Sequence, residues 1–389
     1  MLELLFLLLP IAAGYGWYMG NRNAGQQRQR ETNHLSRQYV TGLNLLLSDQ
    51  SDKAIDHFIE LLQVDSDTID THLALGNLFR SRGEVDRAIK IHQNLIARPN
   101  LTLDQRNIAL QQLAKDYMVA GILDRAEKIF EQLVDEPDHR EAALLQLVSI
   151  HQQTREWEQA INFANNLVKM GKKKLKPDIA HYYCELAMQE LADDHINKAK
   201  QNLKKSLSID NQCVRASIMM AKLLIEEENY KGAVSQLESV LDQDIDFISE
   251  ALPLLAECYE HLDREGSLLN FLKEAISKGA GASAELMLSN LIAKHEGTAL
   301  AQGYMTKQLL KNPTMKGFYR LMGYHVDEAE DGRAKASLAS LQHLVGEQLK
   351  MKPNYRCCKC GFSAHRLFWQ CPSCKGWGVI KPIKGLDGE

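Results

Sequence analysis

The chain has 389 residues, of which 45% are hydrophobic and 25% are charged, as is usual for a folded soluble body. Its formal net charge of −4 at pH 7 argues against nucleic acid as a partner, because nucleic-acid-binding proteins usually carry a basic excess. Five of its eight cysteines fall within residues 357–374 and three are scattered. That pattern favours a reducing compartment and a metal site over secretion with disulfides.

Residues 1–20 predict a transmembrane anchor. From Leu2 onward this segment carries one charge, Glu3, and at roughly 1.5 Å per residue it just spans a hydrocarbon core of about 30 Å. Three arginines follow within residues 21–34, the predicted juxtamembrane linker. By the positive-inside rule the N-terminus lies outside and the bulk of the chain lies in the cytoplasm. A cleaved signal peptide and a soluble helix are the alternatives, but a signal peptide carries positive charge before its apolar stretch.

Residues 35–350 predict an all-α solenoid that resembles tetratricopeptide repeats. A small residue recurs at spacings of 34, 38, 34, 39, 34 and 35, and another small residue, usually Ala, follows it twelve positions later. An apolar residue often follows four positions after that. A period near 34 is typical of this repeat. The seven copies begin at Gly42, Gly76, Ala114, Val148, Ala187, Ala221 and Ala256. Residues 283–350 keep helical apolar spacing without the repeat pattern, and we expect them to continue and cap the solenoid.

The first helices of such repeats together form one face, which suits an extended peptide or a helix as partner. Aligning the copies places eight residues there, each of which is equally consistent with ordinary solvated surface: Asp70, Asn77, Arg80, Gln111, Lys115, Met118, Gln152 and Met188. We expect charge reversal at Arg80 and Lys115 together to weaken partner binding without lowering thermal stability, because exposed substitutions usually change stability by about 0.5 kcal/mol or less.

Residues 351–389 predict a small metal-binding domain. Cys357 and Cys360 form one C-x-x-C pair, and Cys371 and Cys374 form a second. Two-residue gaps let both thiolates of a turn point to one side, and two such turns complete a four-sulfur site for one iron or zinc ion. So short a module has too few apolar residues for an independent core. We therefore expect it to need the metal for folding and to gain by docking on the solenoid.

The motifs "CCKCG" and "CPSC" resemble the knuckles of rubredoxins and zinc ribbons. The sequence departs from rubredoxin in the shorter gap between the pairs and in Lys375, which stands where the second knuckle usually has glycine. Cys358 is predicted to be a bystander. His365 could replace a cysteine as ligand, but four thiols already suffice. Iron and zinc both accept four thiolates, so the spacing leaves the metal open.

The order of anchor, tetratricopeptide solenoid and rubredoxin-like knuckle resembles the bacterial lipopolysaccharide assembly protein B family over the whole chain. That resemblance implies a single-pass inner-membrane protein with a periplasmic N-terminus. It implies a non-enzymatic adaptor that presents the deacetylase of the committed lipid A step to an FtsH-type membrane protease and so limits lipopolysaccharide synthesis. It also implies an opposing partner, a lipopolysaccharide-sensing inner-membrane protein.

The residues by themselves predict a membrane-tethered scaffold for protein–protein interaction, since an anchor raises the effective concentration near membrane partners. We find no phosphate loop and no dinucleotide fingerprint, so we predict no enzymatic activity. Two alternatives remain: a passive scaffold that assembles envelope-synthesis enzymes at the inner membrane, and a rubredoxin-type electron-transfer protein. A zinc-ribbon reader of nucleic acid fits neither the anchor nor the net charge.

Overall fold

The structure is a computed structural model and describes residue 41 together with residues 69–99 and 101–389. The predicted anchor, the linker and the first predicted repeat, which begins at Gly42, lie outside these residues. The anchor and the inner-membrane location therefore stay predictions. Within the described ranges, no helix has both the length and the apolar character that a membrane span needs.

The described chain is a succession of helices followed by a small sheet, which confirms the all-α solenoid with a C-terminal four-cysteine knuckle. Its described α-helices are α1 (Ile69–Ser81), α2 (Val85–Ile96), α3 (Leu103–Val119), α4 (Leu123–Val134), α5 (Arg140–Thr154), α6 (Trp157–Lys169), α7 (Lys176–Ala192), α8 (Ile196–Ile209), α9 (Val214–Glu226), α10 (Tyr230–Glu238), α11 (Val240–Gln243), α12 (Ile248–His261), α13 (Glu265–Ser277), α14 (Ala282–Glu296), α15 (Thr298–Lys311), α16 (Met315–Glu328) and α17 (Arg333–Met351). The strands are β1 (Tyr355–Cys357), β2 (Ser363–Ala364) and β3 (Ile380–Pro382).

The chain divides into two compact units, Met1–Ile150 and His151–Glu389. In the described part of the first unit, small residues lie where helices approach closely, as the repeat pattern predicts. Ala88, Ala114 and Ala126 are fully buried. A Cβ built on Gly76 would lie 2.3 Å from Nε2 of His92 in the next helix. Any side chain at Gly76 would therefore push α1 and α2 apart.

A buried ionic network joins α1, α2 and α3 of the first unit. Asp116 is fully buried, and its two carboxylate oxygens lie 2.8 Å from Nη1 of Arg80 and 2.5 Å from Nδ1 of His92. Arg80 also donates to the side chains of Asn77 and Gln112. The expectation that charge reversal at Arg80 leaves stability unchanged is therefore wrong, because it would strand the buried Asp116 carboxylate. Lys115 is half-buried, and burial, followed by the nearby Arg80 charge, lowers the pKa of its ammonium group.

The second unit has a continuous apolar core that runs from α9 to α14 and includes Leu255, Leu272 and Leu288. The helices of residues 282–351 contact one another in succession, α14 with α15, α15 with α16 and α16 with α17. Cys184, Cys213 and Cys258 are buried among helices and form no disulfide. They therefore behave as small apolar side chains.

The turns after the first helices repeat one backbone conformation. Each contains a residue with positive φ, and the next residue donates its N–H to a carbonyl five positions earlier, as Ile122 does to Tyr117 at 2.9 Å. This is the Schellman ending of a helix, which usually requires glycine. The positive-φ residues are Gly83, Gly121, Arg155, Asp194, Glu228 and Asp263. They follow one another at the same spacings as the predicted repeats from Gly76 onward, so the repeat register read from the sequence agrees with the structure.

We expect Glu228→Gly to raise the free energy of unfolding by about 0.5–1 kcal/mol. Glu228 is exposed and has φ +59°, a conformation that costs a non-glycine residue about 1–2 kcal/mol. Glycine removes this strain from the folded state, but it also increases the entropy of the unfolded chain, which offsets part of the stabilisation. Denaturant unfolding of the two proteins measures the difference. Gly121→Ala is the reverse control, because no atom lies within 4 Å of the added Cβ, and it should destabilise. Destabilisation by Glu228→Gly would contradict this account.

Candidate metal centre and its docking face

The C-terminal module, residues 355–389, is built on a three-stranded antiparallel sheet in the order β2-β1-β3. Within it Cys357 pairs with Ile380, and both residues are buried. The first knuckle follows β1, and the second precedes β3. The sheet therefore holds the two C-x-x-C turns against each other.

Both knuckles have the same backbone. Gly361 donates its N–H to the carbonyl of Cys357 at 3.0 Å, and Lys375 donates to that of Cys371 at 2.9 Å. Gly361 has φ +78° and Lys375 has φ +58°. Lys375 thus takes the left-handed conformation that glycine usually supplies. The departure from the rubredoxin pattern noted at this position leaves the knuckle geometry intact.

The four cysteine sulfurs lie close together. Sγ of Cys357 is 3.7 Å from Sγ of Cys374, and Sγ of Cys360 is 3.6 Å from Sγ of Cys371. All four sulfurs lie within 4.8 Å of one another. A tetrahedral site with metal–sulfur bonds of about 2.3 Å needs sulfurs about 3.8 Å apart. The donor set and its spacing are therefore suited to one thiolate-binding metal ion, and iron and zinc both meet this requirement.

The local environment shifts the pKa values of the cysteine thiols in different directions. The backbone N–H of Phe362 points at the sulfur of Cys360, and this hydrogen bond lowers the pKa of that exposed thiol to about 6. Burial raises the pKa of the Cys371 thiol to about 11, although the amides of Cys374 and Ser373 oppose this effect. A bound divalent cation deprotonates all its thiol ligands. The amides that point at the sulfurs would then stabilise the thiolate charge.

The structure keeps the two alternative ligands of this region apart from the cluster. Cys358 is exposed, and its N–H donates to the carbonyl of Val379 at 2.8 Å. The candidate metal cluster in the described residues of this module contains neither Cys358 nor His365. Both placements agree with the sequence interpretation, in which four thiols suffice.

The module docks on the first-helix face of the second unit through two tryptophans. Trp377 is 9% exposed. Its ring lies 5.3 Å from His181 in a stacked arrangement and 5.9 Å from Tyr182, edge to face. Trp369 stacks on Phe247 at 5.4 Å. Because aromatic pairs of this kind add about 0.5–1.5 kcal/mol beyond their buried area, this cluster accounts for a large share of the docking energy.

Ion pairs extend the same contact along the face. Nζ of Lys381 lies 2.9 Å from Asp244 and 2.8 Å from Asp246, and Lys384 also pairs with Asp246. Burial alone would raise the pKa of the Asp246 carboxyl, but the two ammonium groups lower it below its ordinary value. The hydroxyl of Tyr355 donates to Glu250 at 2.6 Å.

Glu389 fixes the far end of the module. Its carboxylate is largely buried and accepts the backbone N–H of Ser283 at 2.9 Å, in the first turn of α14. Nζ of Lys316 pairs with the same carboxylate at 2.5 Å. A helix N-terminus and an ammonium group both favour negative charge, so burial of this carboxylate is compensated.

Two residues that the sequence placed on the partner-binding face take part in this docking. Oε1 of Gln152 accepts a hydrogen bond from Nε1 of Trp377 at 3.4 Å. Sδ of Met188 lies 2.9 Å from Nη2 of Arg215, whose guanidinium group is 5.8 Å from the Trp377 ring. In the second unit, therefore, the chain's own module covers part of the predicted partner face.

Sequence reasoning expected docking but did not identify its residues. A signal was present. Residues 351–386 contain no Asp or Glu and seven Lys or Arg, whereas residues 242–246 read "DQDID". This charge contrast connects the module with the turn between α11 and α12. The aromatic partners His181 and Tyr182 gave no such signal, because a buried aromatic pair on a repeat helix also suits an ordinary core.

Comparison with known proteins agrees with both parts of the fold. Residues 355–382 match the family described as "Rubredoxin metal binding domain", and residues 71–105 and 190–258 match families described as "Tetratricopeptide repeat". A solved structure of the C-terminal part of a tetratricopeptide protein from Cytophaga hutchinsonii is 14% identical, with a TM-score of 0.42, and covers 63% of this chain and 97% of that chain.

Two curated relatives align over their full length. A protein of Escherichia coli (strain K12) is 53% identical over 388 residues, and one of Haemophilus influenzae is 46% identical over 395 residues. Each alignment covers 100% of both chains. Both relatives are named "Lipopolysaccharide assembly protein B".

We expect Cys371→Ser to release the metal and to undock the module. The site would lose one of four thiolates, and structural metal sites of this kind supply on the order of 10 kcal/mol of folding energy. Elemental analysis of the purified variant should show metal loss, and tryptophan fluorescence should shift to the red as Trp377 meets water. The helical circular dichroism should barely change, since the repeats are held by local contacts.

Cys358→Ser is the matched control, because it removes a neighbouring thiol outside the cluster. It should keep full metal content and the wild-type emission spectrum. Full metal content in Cys371→Ser, or metal loss in Cys358→Ser, would show that the sulfurs are wrongly assigned.

We expect the docking to weaken as the pH falls below about 6.5. Burial, and then the Arg215 charge, lower the pKa of His181 to about 3 in the docked state, whereas an exposed histidine titrates near 6.5. The undocked state therefore binds the extra proton between these values, and docking loses up to about tenfold per pH unit. Tryptophan emission between pH 7 and 5 measures the effect. His181→Phe keeps a stacking ring without a titrating group and should flatten the curve; an unchanged curve would refute the assignment.

Proposed function

Because the chain belongs to the lipopolysaccharide assembly protein B family, as its full-length relatives establish, we propose that it is a regulator of lipopolysaccharide assembly that acts as a non-enzymatic adaptor. The single observation that carries the mechanism is a repeat solenoid whose second unit is fixed by a docked metal module. A rigid surface of this kind can bind a protein client with little loss of conformational entropy.

The proposed client is the deacetylase of the committed lipid A step, and the proposed recipient is an FtsH-type membrane protease. The anchor predicted in residues 1–20 would keep the adaptor in the same membrane as the protease, which raises their effective concentration. A lipopolysaccharide-sensing inner-membrane protein would oppose this delivery. These partners come from the family resemblance.

The first-helix face of the first unit is the proposed client site. Gln111, Lys115 and Met118 are half-exposed there, and they lie on α3, next to the Arg80–Asp116 network that fixes this helix. A face held by buried ion pairs loses little entropy when a client binds. Lys115 provides a cation for an acidic group of the client.

The test is a reconstituted degradation assay with the full chain, the protease and the deacetylase in membranes. We expect the adaptor to accelerate loss of the deacetylase, and Lys115→Glu to slow that acceleration severalfold while the variant remains folded by circular dichroism. Lys128→Glu, an exposed substitution on α4, should behave as wild type and is the matched control.

A passive scaffold would behave differently in the same assay. It would co-purify with both enzymes and leave the lifetime of the deacetylase unchanged. That outcome would reject the adaptor mechanism and leave the family assignment intact.

A further inference from the structure

Exposed lysines are concentrated at the turn between α6 and α7. Residues 169–176 read "KMGKKKLK", with five lysines and no Asp or Glu. All five lysines are exposed, and Met170 among them is 45% exposed. Lys173–Leu175 form one helical turn before α7 begins at Lys176. This turn therefore presents several cations and one apolar side chain to solvent.

The docked module adds two lysines to the same region, one from each knuckle. A Cβ built on Gly376 would lie 3.4 Å from Nζ of Lys359, so the side chain of Lys359 reaches the second knuckle at the residue after Lys375. Burial raises the pKa of the Asp178 carboxyl on α7, and the Lys359 ammonium group opposes this shift. Asp178 is two residues beyond Lys176, so Lys359 lies beside the lysine-rich turn.

The module uses some of its lysines for internal ion pairs and leaves others unpaired. Lys352, Lys381 and Lys384 each pair with an aspartate. Five lysines of the turn and the knuckles form no salt bridge with the described residues of the chain: Lys173, Lys174, Lys176, Lys359 and Lys375. These five lysines, the basic edge, repel one another at low ionic strength, and an anionic partner would relieve that repulsion.

The composition of the basic edge favours a lipid surface over a protein as that partner. Protein–protein interfaces are depleted in lysine. Lysine is a point charge on a flexible stem, and it contacts phosphate groups without requiring a fixed geometry. Each lysine near an anionic bilayer increases binding about fivefold. An exposed apolar side chain among lysines, such as Met170, suits the boundary between head groups and acyl chains.

We propose that the basic edge binds the surface of a bilayer that contains anionic phospholipids. This contact is separate from the proposed adaptor mechanism and from the anchor predicted in residues 1–20. Three of the five lysines come from the turn before α7 and two come from the knuckles, so the surface is complete only when the module is docked. Binding to lipid therefore places the four-cysteine module at the membrane surface.

The first test reconstitutes the full chain with phosphatidylcholine alone or with an equal mixture of phosphatidylcholine and phosphatidylglycerol. Acetylation of each lysine, followed by mass spectrometry, measures how accessible it is. Lys174 and Lys359 should react at least about threefold more slowly on the anionic bilayer, and salt at about 1 M should abolish the difference, because it shortens the Debye length to about 3 Å. Lys307, which is exposed on α15, is the internal control.

Two outcomes of this test would overturn the proposal. One is that Lys174 and Lys359 react at the same rate on both bilayers, or that Lys307 slows to the same extent. The other is that free polyglutamate, added to the neutral bilayer, protects Lys174 and Lys359 as well as phosphatidylglycerol does. That second outcome would identify an acidic protein segment as the partner.

The second test changes the turn and measures the module. Lys173→Glu combined with Lys174→Glu reverses two charges, so the anionic bilayer should no longer protect Lys359, while the metal content stays unchanged. Lys173→Arg combined with Lys174→Arg keeps the charge and should protect Lys359 as wild type does. Lys307→Glu combined with Lys311→Glu is the matched control, because both lysines are exposed on α15. Protection of Lys359 that survives the reversal at Lys173 and Lys174 would reject a surface shared by turn and knuckles.

Discussion

The burial of Trp377 between the four-cysteine module and the repeat helices is the contact on which the placement of the module depends. The indole lies against His181 and Tyr182 on α7 and against Trp157 at the start of α6, and its N–H reaches Gln152 on α5. One side chain thus joins three successive helices to the module. The knuckle positions it, because Gly378, next to Trp377, donates to the carbonyl of Trp369 at 2.8 Å. The conformation of the four-cysteine module therefore determines how the Trp377 indole packs on the repeat helices.

The ion pairs around the Trp377 contact fix the orientation of the module on the helices. Aromatic burial is tolerant of small rotations, whereas Lys381 and Lys384 must meet the carboxylate of Asp246 in the turn before α12, and Glu389 must meet the first turn of α14. Charged pairs of this kind contribute more to register than to net stability. The module is thus held at three places along the helices, and it can take one orientation only.

Much of this fold could be read from the sequence because it is repetitive. Small residues at a period near 34, together with two C-x-x-C pairs, are local patterns, and each has few structural solutions. Arg80 shows where such reading fails. Its position in the repeat puts it on the first-helix face, but its partner Asp116 is 36 residues away in sequence, and their ion pair depends on packing between successive repeats. The docking residues are further apart still, and only the charge contrast between the module and residues 242–246 pointed to them.

The module lies far along the chain from the helices on which it docks, and this separation has a consequence for biosynthesis. Trp377 and Gln152 are 225 residues apart, whereas neighbouring helices of the repeats contact one another locally. Local contacts form early and fast, and long-range ones wait for loop closure. A ribosome makes the repeats first, and they can fold as they emerge. The knuckle is made after the repeats, so its docking follows their folding. A metal ion held by the four cysteines would complete the second unit at that stage, and its supply would then set how much finished protein accumulates.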